Sequence, residues 1–60
     1  MSNEELMAVV TVNKEAVSGD VPVFHASSGD EQAKIATTLA KVLKAMVHDV
    51  GNGVYIIVKH

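Results

Sequence analysis

The longest regular pattern in the chain runs from Gly29 to Val50, GDEQAKIATTLAKVLKAMVHDV, and it decides what the remainder has to be. On a helical wheel Ile35, Leu39, Val42, Leu43, Met46 and Val50 fall on one stripe, widened on one side by Ala33, Ala36, Ala40 and Val47. This spacing predicts one helix over the whole stretch. Its apolar arc covers about half the circumference, more than the ~100° a helix needs to seat on a sheet, so burial against more than one surface is expected.

Both ends of that stretch carry signals. Ser28 followed by Glu31 is a capping-box pattern, in which the hydroxyl accepts from the Glu31 N–H and the carboxylate accepts from the N–H of Ser28. Either Ser28 or Asp30 suits the N-cap, and Asp30 and Glu31 put negative charge at the positive end of the helix dipole. Gly51, with Asn52 and Gly53 behind it, suits the left-handed residue that ends a helix. The polar side of the wheel holds Lys34, Thr37, Lys41, Lys44 and His48. A solvated face is the plain reading of that row; the functional one is a docking face for an acidic partner, made of Lys34, Lys41, Lys44 and His48.

What flanks the helix reads as strand. Leu6 to Val12, LMAVVTV, is β-branched and apolar on both faces, the pattern of a strand covered on two sides. Val21 to Ala26, VPVFHA, is a second strand, and Pro22, which has no N–H to give a ladder, places it at a sheet edge or opens it. Ser18-Gly19-Asp20 is the turn between them, and Met1 to Glu5 is expected to be a disordered tail. Val54 to Lys59, VYIIVK, is the third strand. The expected fold is a single α+β domain over residues 1–60, β-β-α-β. Its three-stranded sheet carries one long helix on one face, and the helix makes a parallel crossover between the second and third strands.

One helix covers one face. The other is expected to offer Met7, Val9, Phe24, Tyr55 and Ile57, with Val23 as the alternative to Phe24, to another chain. The chain has 60 residues and no cysteine, so no disulfide can reinforce a small core, and association is the remedy. A homo-oligomer, or a subunit docked on another protein, is expected.

Chemistry is thin. His25, His48 and His60 belong to three separate elements, without metal-ligand spacing. The serines lie outside any nucleophile elbow, and Gly51-Asn52-Gly53 lacks the length and lysine of a phosphate loop. No catalytic residue, metal, cofactor or small-molecule substrate is expected. A small nucleic-acid-binding regulator using Lys34, Lys41 and Lys44 is the alternative; a net charge of −2, no arginine and two aromatics count against it. No apolar run reaches the ~18 residues of a membrane span, and Asn3-Glu4-Glu5 lacks the positive start of a signal peptide, so a cytoplasmic location is expected.

Three stretches, AVVTVNK (Ala8 to Lys14), VSGDVPVFHA (Val17 to Ala26) and AMVHDVGNGVYIIVKH (Ala45 to His60), resemble a family of very small proteins of spore-forming bacteria, the capping complex subunits for YIEGIA. The resemblance covers most of the chain beyond its first seven residues. It implies a non-enzymatic accessory subunit of an integral membrane protein carrying the YIEGIA motif, linked to sporulation and held at the membrane through that partner. It supplies no catalytic residues.

Overall fold

The structure, a computed structural model, describes residues 4–15 and 19–60. Its elements in chain order are β1 (Glu5–Thr11), β2 (Val23–His25), α1 (Gly29–Leu43), β3 (Met46–Gly51) and β4 (Val54–Lys59). The strands form one sheet in the order β2-β1-β4-β3, and α1 packs on one face of it. The fold is α+β with a single helix among the described residues, as expected, but the sheet has four strands rather than three.

The additional strand comes out of the expected helix. α1 stops at Leu43, where Lys44 takes left-handed backbone angles (φ 55°, ψ 47°) and its N–H returns to the carbonyls of Ala40 and Lys41. Ala45 N–H then donates to Ala40 O at 2.8 Å, completing a Schellman-type stop. The Gly51-Asn52-Gly53 signal, expected to end the helix, is instead a hairpin turn. Asn52 (φ 57°) and Gly53 (φ 73°) both have the positive φ of the turn whose twist matches paired strands. Pairing Met46–Gly51 with β4 along a backbone ladder outweighs two further turns of helix.

The pairings fix direction. β1 runs parallel to β2, whereas β4 is antiparallel to both β1 and β3. β2 and β3 therefore point the same way from opposite edges of the sheet, and α1 carries the chain from one edge to the other. The expected crossover exists but lands on β3, while Val54–Lys59 runs the other way. Pro22 lies just before β2, an edge strand, with its carbonyl accepting from Val9 N–H at 3.0 Å. Glu5, placed in a disordered tail by the sequence, opens β1 opposite Lys59. Residues 1–3 of that tail, and Ser18 of the expected turn, lie outside the described residues.

The core is small. Ala8, Val10 and Ile57 from the sheet and Ala36 from α1 are buried, ringed by the half-buried Met7, Ile35, Leu39, Leu43, Ala45 and Tyr55. Gln32 is the buried polar side chain of α1. Its Nε2 donates to Val10 O at 3.0 Å and to Gly53 O at 2.7 Å, pinning the first turn of the helix to the end of β1 and to the β3–β4 hairpin. The molecule exposes 4228 Å², more than the ~3,800 Å² expected of a folded monomer of its mass.

Candidate functional site

Residues facing each other across a ladder lie on the same side of the sheet, so register assigns the faces. Ala8 opposes Ile57, which opposes Val47; Val10 opposes Phe24 and Tyr55. These belong to the side covered by α1. The other side carries two rows, Leu6–Val58–Met46 and Val23–Val9–Ile56–His48, with Thr11 and Val54 beginning a third. No described element packs over the first row. Leu6 is 43% and Met46 57% exposed, with Val58 half-buried between them.

The five residues that sequence assigned to this surface separate by face. Val9 lies on it. Ile57 is fully buried beneath α1, and Met7 and Tyr55 pack around the same core. Phe24 shares the side of Val10 but sits on the edge strand, 37% exposed. The cause is one of parity: β4 is apolar at every position from Val54 to Val58, so its pattern does not say which alternate residues face inward. The open face takes Val54, Ile56 and Val58 instead. A β-bulge between Leu6 and Ala8 also turns Met7 toward the core.

The expected docking face is divided too. Lys34 and Lys41 are exposed on α1, and two shallow depressions along that helix are lined by Ala33, Lys34, Thr37 and Thr38 and by Lys34, Ile35, Thr38 and Leu39. Lys44 has become the helix stop. His48 is on β3 in register with Ile56, on the opposite side of the sheet, because the helical row does not survive the end of the helix at Leu43.

At the N-terminus of α1, Ser28 Oγ accepts from Glu31 N–H at 3.1 Å as expected, but the Glu31 carboxylate accepts from Ser27 N–H at 2.9 Å rather than from Ser28. That end of the helix is an internally satisfied cap. Sequence kept the three histidines apart, yet the fold joins two: His48 Nε2 and His60 Nε2 are 3.2 Å apart, and Glu4 Oε1 is 3.4 Å from His60 Nδ1. The signal for this pairing was the hairpin, which returns the chain alongside β3. Among the described residues, no three His, Cys, Asp or Glu side chains gather as a metal site, and no helix is long and apolar enough to cross a membrane.

Comparison with known proteins bears out the family resemblance carried by the sequence. A family described as capping complex subunit for YIEGIA matches residues 3–60. An uncharacterized protein of Bacillus subtilis (strain 168), YpzH, is 36% identical over 55 residues, covering 92% of this chain and 86% of its own. No solved structure matches.

Proposed function

We propose that this chain, which belongs to the family of capping complex subunits for YIEGIA, works as a non-catalytic subunit that self-associates and docks on a YIEGIA-type integral membrane protein. In this reading it is a sporulation-linked protein held on the cytoplasmic side of the membrane through that partner. The observation that carries the proposal is the open sheet face. Leu6, Met46, Val58 and Ile56 form a contiguous apolar surface on a protein whose helix packs on the other side of the sheet. Apolar patches of this kind mark places where another chain packs. Membership of a family of complex subunits supports the same use.

The test combines sedimentation with co-purification. The wild-type chain should sediment above its monomer mass of 6.4 kDa, and should appear in membrane fractions only when the YIEGIA-type protein is co-expressed. Leu6→Asp and Met46→Asp change exposed side chains, so the fold should persist by circular dichroism while the association is lost. A wild-type protein that stays monomeric at every concentration and never accompanies the membrane protein would overturn the proposal.

A further inference from the structure

The Glu4–His60–His48 contacts define a chemically ordered array. Glu4 Oε1 lies 3.4 Å from His60 Nδ1, and on the other side of the ring His60 Nε2 faces His48 Nε2 at 3.2 Å. The two rings meet edge to face, with centroids 5.4 Å apart and planes at 70°. At that distance one Nε2 carries the hydrogen and the other accepts it.

We propose that His48 and His60 form a two-histidine site for a divalent transition-metal ion of intermediate softness, such as Zn²⁺, Ni²⁺ or Cu²⁺, at the rim of the open sheet face. Imidazole nitrogens at 2.0–2.1 Å from a tetrahedral ion stand about 3.3 Å apart, and at a right angle about 2.9 Å apart. The observed Nε2 separation of 3.2 Å falls within that span, the spacing that two imidazole ligands of one ion require. The ring that accepts in this contact already presents a bare Nε2. The ring that donates presents its own by moving its proton to Nδ1, a change of tautomer in which no proton leaves the protein. Glu4 stands behind His60 as the carboxylate that commonly orients a ligating imidazole. His48 and His60 are exposed, so the ion enters from solvent, and its remaining positions are taken by water. The site joins the residue before β1, the residue after β4 and the middle of β3, and bound metal would brace all three. The inference does not depend on the proposed partner.

Calorimetric titration of the untagged protein with ZnCl₂, NiCl₂ or CuCl₂, followed by ¹⁵N imidazole NMR with Zn²⁺, tests it. One ion per chain is expected, with the Nε2 resonances of His48 and His60 shifting and those of His25 unmoved. His48→Ala and His60→Ala should each weaken binding at least about tenfold, and Glu4→Gln should weaken it by a smaller factor. Circular dichroism of each variant separates loss of a ligand from loss of fold. No saturable binding of any of the three ions at millimolar concentration, or an affinity unchanged in both folded histidine variants, would overturn the proposal.

Discussion

Gln32 shows how much one side chain settles in so small a protein. It lies four residues before Ala36 and seven before Leu39, on the apolar stripe, and a polar residue there asks for buried partners. Those partners are the carbonyls of Val10 and Gly53, so Gln32→Met, of similar length but without the donors, should destabilise by about 1–3 kcal/mol in urea unfolding. Gly53 is constrained twice, by its positive φ and by Val12, whose Cγ2 would lie 2.6 Å from an added Cβ. Gly53→Ala should therefore cost at least about 1–2 kcal/mol, the stiffness of the Val12 side chain leaving little relief. Lys44 points the other way. Its left-handed backbone is costly for a residue with a Cβ, so Lys44→Gly should raise stability by about 0.5–1 kcal/mol after the greater freedom of glycine in the unfolded chain is counted. At this scale Ser28 was legible as a cap because its chemistry is local. The double role of Gln32 was not, since its partners lie 21 and 22 residues away.

Among the elements, β1 and β4 are marked by composition and Pro22 by its missing N–H, and all three stand where the sequence places them or within a residue of it. The misplaced boundary was Leu43. Ala45, Met46, Val47 and Val50 satisfy a helical wheel and an extended edge strand equally well, and local pattern cannot choose between them. The arbiter was present in Asn52-Gly53, which between two apolar runs is a hairpin signal before it is a helix stop. Strand-like backbone chemical shifts are thus expected over Met46–Asp49, with a nuclear Overhauser contact between Val47 and Ile57; helical shifts there would contradict β3. The candidate surface was half legible for a related reason. An apolar face in need of cover follows from a sheet with one helix, but which residues of VYIIV form it depends on register, a tertiary property.

At the level of the whole molecule, the core is thin enough that one deletion can tip it. Leu39→Ala removes a half-buried side chain packed on Ile57 and its neighbours and should cost on the order of 2–3 kcal/mol, a large share of what such a domain holds. Lys41→Glu, on the exposed side of α1, should leave stability within ~0.5 kcal/mol, a contrast that thermal unfolding of the two variants would show. The strand order has an outcome for the birth of the protein as well. β4 is the last of the described elements in chain order, yet it is the strand to which both β1 and β3 are hydrogen-bonded. Until β4 has emerged, β3 has no ladder partner and β1 is paired along one edge only, to β2. Closure of the sheet waits for β4, in a late step that joins residues as distant as Leu6 and Val58.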